Sequence, residues 1–168
     1  MHSVYIGLGS NLGDSLQHLQ SALKAMSEIP ETTLVATSSA YSSAPLGPAD
    51  QPRYLNAVAQ LHTSLSPLAL LDALQSIELQ HGRVRIGDRW GPRTLDLDII
   101  LFDNLIIDEP RLVVPHYHMH ARPFVLYPLA ELCDEDFVLP DGKSLAELLT
   151  LCPPDTSLTR LASPELLA

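Results

Sequence analysis

The chain reads as an α+β domain with a ferredoxin-like βαββαβ core, a mostly antiparallel sheet and C-terminal additions. Three observations predict this. Short alternating runs and two segments with leucines at helical spacing follow one another in the order β-α-β-β-α-β. Turns rich in glycine, proline, serine or asparagine punctuate them. The 168 residues, 46% hydrophobic, suit a single core, so one domain over 1–168 is expected.

Ser3 to Gly9 sets Val4, Ile6 and Leu8 on one face and predicts the first strand. Ser10 to Asp14 reads as a turn with a capping residue. A helix follows from about Ser15 to Ser27, with Leu16, Leu19, Leu23 and Met26 as its buried stripe. A second strand is expected around Thr33 to Tyr41, and the three prolines of Ala44 to Pro52 stiffen the loop after it. Tyr54 to Thr63 alternates as a third strand. Ser66-Pro67 starts a helix to about His81 with Leu70, Leu71, Leu74 and Ile77 inward. Leu95 to Asp103 is the next strand, Leu95, Leu97, Ile99 and Leu101 on one face, Asp96, Asp98, Ile100 and Phe102 on the other. Asn104 to Val114 suits a small hairpin, and Arg122 to Leu132 and Ser144 to Thr150 suit short helices. The tail from about Pro153 is expected to pack loosely. Helices on one face would leave the other face, with the loops, to build a site.

The net charge of −10 argues against general nucleic-acid binding, which needs a broad basic surface. No apolar run approaches a bilayer span and nothing resembles a signal peptide. Cys133 and Cys152 are too few for a disulfide framework, so a reducing, cytoplasmic setting is expected. A monomer is expected as well.

The segment from Gly82 to Phe102 carries the chemistry. Four of the chain's eight arginines (Arg83, Arg85, Arg89 and Arg93) fall within eleven residues, directly before Asp96-Leu97-Asp98. On a strand Asp96 and Asp98 point the same way and repel each other unless a cation lies between them. Mg²⁺ takes one or two carboxylates together with phosphate oxygens, and neighbouring arginines would share the charge of a polyphosphate. The plain alternatives are polar residues on an edge strand and a solvated basic loop. Gly82, Gly87 and Gly91 would let that loop close over phosphates, with Trp90 either covering a bound ring or anchoring the loop. The glycines from Gly7 to Gly13 do not have dinucleotide or P-loop spacing and read as a tight turn. Tyr54 and Asn56 share a strand face, where they could stack on and hydrogen-bond a flat heterocycle or simply pack. Of His116, His118 and His120, His116 is the candidate for a phosphate contact.

Four stretches together resemble the 6-hydroxymethyl-7,8-dihydropterin pyrophosphokinase family: RWGPRTLDLDI (Arg89 to Ile99), YIGLGSNLGD (Tyr5 to Asp14), PLGPADQPRYLNA (Pro45 to Ala57) and VPHYHMHARPFVLYPLAEL (Val114 to Leu132). The resemblance implies a single catalytic domain that moves pyrophosphate from ATP to the pterin hydroxymethyl group in folate biosynthesis, with two Mg²⁺ ions held by Asp96 and Asp98. It implies a pterin sandwiched by Tyr54 and Phe124, bonded by Asn56 and by main chain around Ser43, Pro45 and Leu46, with Trp90 on the closing loop. Arg83 and Arg93 would act on the transferring group. Glu78, Arg85, Ile99, Arg111, His116, Tyr117 and Arg122 would lie on the nucleotide side. Ile86, Asp88, Val113 and Pro123 depart from the family pattern and bear on nucleotide affinity and loop closure. A nucleotide-sensing module on the same fold and a metal-dependent phosphohydrolase are the rival readings.

Overall fold

The computed structural model describes residues 1–10, 15–43, 54–80, 95–115, 123–133, 137–140, 142–152 and 159–160. The strands are β1 (His2–Ser10), β2 (Thr32–Thr37), β3 (Tyr41–Ser43), β4 (Tyr54–Thr63), β5 (Asp96–Phe102), β6 (Ile107–Glu109), β7 (Leu112–Val114) and β8 (Thr159–Arg160). The helices are α1 (Ser15–Ser27), α2 (Pro67–Gln80), α3 (Pro123–Leu132) and α4 (Leu145–Leu151). The main sheet runs β5-β1-β4-β3-β8, with β2 also on β4, and every pairing is antiparallel. Two βαβ units interleave their strands in this order, as expected of the split βαβ arrangement.

One face of the sheet carries the larger core. Val4, Ile6 and Leu8 of β1, with Ala57, Ala59 and Leu61 of β4, meet Leu19, Leu23 and Met26 of α1 and Leu70, Leu74 and Ile77 of α2. Every one of these side chains is almost fully buried. At about 1.5–3 kcal/mol per large apolar side chain, this layer supplies much of the driving force for folding.

Three expectations are corrected. The segment around Thr33 to Tyr41 forms two strands along one edge of β4, not one. Ser38 explains the break: its N–H donates to the Val58 carbonyl at 2.8 Å, but its hydroxyl, in place of its carbonyl, accepts from the Val58 N–H at 2.9 Å. The ladder is satisfied while the main chain turns away. The faces of β5 also change partway. Tyr5 pairs with Leu101 but Ile6 with Ile99, so Ile100 is an extra residue, a β-bulge. Leu101 thereby joins Ile100 beside Tyr5, and Phe102 turns into the α1/α2 core. Lastly, the second face of the sheet is left to a site only in part. Tyr5, Val58, Ile100 and Leu101 are apolar there and are covered by Leu126 and Leu129 of α3 and Leu145 and Leu148 of α4. Burial, followed by the Cys133 thiol, pushes the Tyr5 phenol above its ordinary pKa.

The hairpin of β6 and β7 forms as expected. Within the tail, Thr159 and Arg160 pair with Ser42 and Tyr41 at the sheet edge. Cys133 and Cys152 form no disulfide, and no described helix is long and apolar enough to cross a membrane.

Candidate active site

The second half of β1 alternates differently from the first. Leu8 stays in the core, while Gly7 and Gly9 take the positions on the other face. The register places Gly9 between Asn56 on β4 and Asp96 on β5, and Gly7 between Val58 and Asp98. Tyr41 of β3 lies on the far side of Asn56. One row across the sheet is therefore Asp96, Gly9, Asn56, Tyr41, spanning roughly 14 Å at the usual strand spacing.

The glycines make that row possible. A Cβ on Gly9 would stand 3.1 Å from Asn56 Oδ1, so the Asn56 amide leans over bare main chain. A Cβ on Gly7 would stand 3.1 Å from Ile100 Cδ1. Asn56 is 8% exposed, Asp96 is half-buried and Asp98 is exposed. Two carboxylates thus share one strand face, beside a floor without side chains and an amide across it. Among the described residues no three His, Cys, Asp or Glu side chains are grouped as a metal cluster. The hard oxygen donors of Asp96 and Asp98, with Asn56 and Ile100 packed close over the two glycines beside them, fit a Mg²⁺ ion that draws its remaining ligands from phosphate and water.

Behind this face stands Glu78. It is 2% exposed, and its Oε2 accepts the Leu97 N–H at 2.8 Å. Leu97 is the residue between the two aspartates, and β5 is the edge of the sheet. An unpaired buried carboxylate would cost several kcal/mol, so the bond both stabilises Glu78 and holds the first residues of β5 against α2. Ile99 is 2% exposed in the α1/α2 core, which leaves its main chain for any ligand. Arg111 reaches back to α2, where it bonds Asp72 and lies 3.4 Å from Gln75 Oε1.

Tyr54 opens β4, half-buried and on the same face as Asn56, and its register partner is Ser43. Sequence reasoning missed Gly7 and Gly9 as the floor, the main-chain role of Glu78, and Tyr41 with its partner Glu131. The glycine alternation G-x-G within a strand is the one local signal that could have shown the floor. Pro45, Leu46, Arg83, Arg85, Trp90, Arg93, His116, Tyr117 and Arg122 lie outside the described residues, as do Ile86, Asp88, His118, His120 and the side chains of Ser43 and Phe124.

Comparison with known proteins decides which family carries this arrangement. The sequence model of 7,8-dihydro-6-hydroxymethylpterin-pyrophosphokinase (HPPK) matches residues 5–134. The chain belongs to this family. It is similar to the 2-amino-4-hydroxy-6-hydroxymethyldihydropteridine pyrophosphokinase of Pseudomonas aeruginosa, 63% identical over 150 residues, covering 89% of this chain and 91% of the relative. The Bacillus subtilis protein of the same name is 45% identical over 131 residues, 78% of each chain. Among solved structures, a Plasmodium falciparum HPPK-DHPS chain superposes with a TM-score of 0.70 at 14% identity, over 89% of this chain and 45% of that one. The likeness is one of fold, and the chain spans less than half the length of that protein. Asp96, Asp98, Asn56, Tyr54 and Glu78 all fall inside the family match.

Proposed function

We propose that the chain is a pyrophosphokinase that transfers the terminal diphosphate of ATP to the hydroxymethyl oxygen of 6-hydroxymethyl-7,8-dihydropterin, giving AMP and the pterin diphosphate, a step in folate biosynthesis. The observation that carries this reading is the row of Asp96, Gly9 and Asn56 in a chain of this family. It brings an acidic, oxygen-rich position and a side-chain amide to one face of the sheet.

In the reaction the hydroxymethyl oxygen attacks the β-phosphorus of ATP. The bond from that phosphorus to the α–β bridging oxygen breaks, AMP leaves with that oxygen, and the hydroxyl proton passes to solvent. The nucleophile belongs to the substrate, so the chain needs no Ser, Cys or His nucleophile. Its task is alignment and charge neutralisation. Asp96 and Asp98 would hold Mg²⁺, two ions on this reading, which when bound neutralises the polyphosphate oxygens. Asn56 bonds the edge of the pterin, Tyr54 and Phe124 stack on its faces, and main chain around Ser43, Pro45 and Leu46 reads the rest of its edge. Arg83 and Arg93 act on the transferring group and Trp90 closes over the site. Arg85, Arg111, Glu78, Ile99, His116, Tyr117 and Arg122 stand on the nucleotide side, Ile99 through its main chain. The reading includes a monomeric enzyme working in the cytoplasm.

The test is incubation with ATP, Mg²⁺ and the pterin, followed by chromatography of the nucleotides. AMP formed in step with a pterin diphosphate, and absent without pterin, supports the reading. ADP, or inorganic phosphate released without pterin, contradicts it.

A further inference from the structure

Glu131, near the end of α3, is an exposed carboxylate with three donors converging on it. The Ser39 N–H and the Ser39 hydroxyl reach Oε1 at 3.0 and 3.1 Å, and the Tyr41 hydroxyl reaches Oε2. These bonds join residues about ninety positions apart in sequence. An exposed carboxylate in a lone pair contributes little, whereas one bonded through both oxygens to a main-chain N–H and two hydroxyls is fixed in place. Ser39 lies in the break between β2 and β3, where Ser38 holds the chain to β4 and frees the next N–H to point elsewhere.

Each end of this contact leads to one side of the proposed pterin pocket. Tyr41 is 8% exposed and paired in register with Asn56, and Ser43, two residues on, is paired with Tyr54. On the helix, position 124 lies two turns before Glu131, about 10.5 Å along the axis. Pro128 has no N–H to offer the Phe124 carbonyl, so the first turn of α3 is held less firmly by its own helix. Leu126 and Leu129, both fully buried, hold α3 down on the sheet. Apolar packing is non-directional and sets the depth of the helix better than its slide along the sheet.

We propose that Glu131 is a positioning residue for the pterin pocket, setting the distance between the helix that carries Phe124 and the strand that carries Ser43. The proposal rests on the function given above and adds residues to it that do not touch the reacting atoms.

The test is steady-state kinetics in the same assay for Glu131→Ala, Glu131→Gln and Tyr41→Phe, with melting temperatures measured alongside. Ala removes the acceptor. Gln keeps an oxygen for Ser39 and offers an N–H to the Tyr41 oxygen. In Glu131→Ala the KM for pterin rises about tenfold while the KM for ATP stays within about twofold, as a pocket displaced by under an ångström requires. Glu131→Gln returns to within about threefold of the parent and Tyr41→Phe falls between them. Tyr41→Phe, which loses one hydroxyl, keeps the test open should Glu131→Ala not fold. A lower melting temperature with both KM values unchanged, or with both raised together, overturns the proposal and leaves Glu131 a contact of the fold alone. A parent protein that forms no AMP with pterin overturns the functional reading as well, and that result is seen before any variant is compared.

Discussion

Val4, Tyr5 and Ile6 in the first half of β1 are buried on both faces of the sheet, under α1 and α2 on one side and α3 and α4 on the other. Gly7, Leu8 and Gly9 in the second half bury one side chain, that of Leu8, and on the opposite face their two glycines let Ile100 and Asn56 approach the main chain. β5 divides the same way, with Asp96 and Asp98 beside the glycines and the bulged Ile100 and Leu101 beside Tyr5. Two adjacent strands thus anchor the fold with one end and furnish the candidate site with the other. Replacing side chains by glycine at two positions and inserting one residue at Ile100 accomplish the change without altering the topology. The bulge opens the apolar half directly after the acidic half ends.

The comparison breaks most decisively at the acidic end. Asp96→Ala lowers AMP formation by about 10³-fold or more, while pterin affinity measured alone changes far less. In the packed half, Ile6→Ala costs about 2–5 kcal/mol of stability by denaturant titration, with turnover per folded molecule close to the parent's. The two glycines sharpen the contrast. Gly9→Ala presses on the Asn56 amide and raises the KM for pterin several-fold. Gly7→Ala presses on the flexible end of Ile100, which yields, and costs about 1 kcal/mol of stability with KM little changed.

The smallest effect lies away from the site, at the start of β1. Burial pushes the Asp103 carboxyl up, but the Ser3 N–H, the bonded His2 and the N-terminal charge outweigh it, and the net pKa is lowered from 3.8. The bonds are 2.7 Å from Ser3 and 2.6 Å to His2 Nδ1. A lowered carboxyl contributes stability that is present above its ordinary pKa and lost as pH falls through the folded value. Asp103→Asn therefore melts slightly below the parent at pH 7, and the gap closes as the pH falls through the lowered carboxyl value.

Much of this was legible in sequence because it is local. α1, α2 and β4 follow from leucine spacing and alternation, and Asp96 and Asp98 share a face by the two-residue period alone. What was not legible depends on partners distant in sequence. The bulge at Ile100 is a mismatch between β1 and β5, visible only when both are paired. The division of β2 from β3 rests on a Ser38 hydroxyl meeting Val58. The covering of the second face follows from helices that come after the core motif, and the Glu131 contact closes over about ninety residues. Glu78 reads as a nucleotide-side residue by resemblance, yet its carboxylate also holds Leu97 in place, which no spacing rule reveals.

The measurement that tests the central claim most directly is the rate of pterin-dependent AMP formation by the isosteric Asp96→Asn, set beside its melting temperature. The glycine-floored half of the sheet being the site requires turnover to fall by about 10²-fold or more with the melting temperature within a few degrees of the parent. Turnover near the parent's rate would contradict it and place the chemistry elsewhere in the chain.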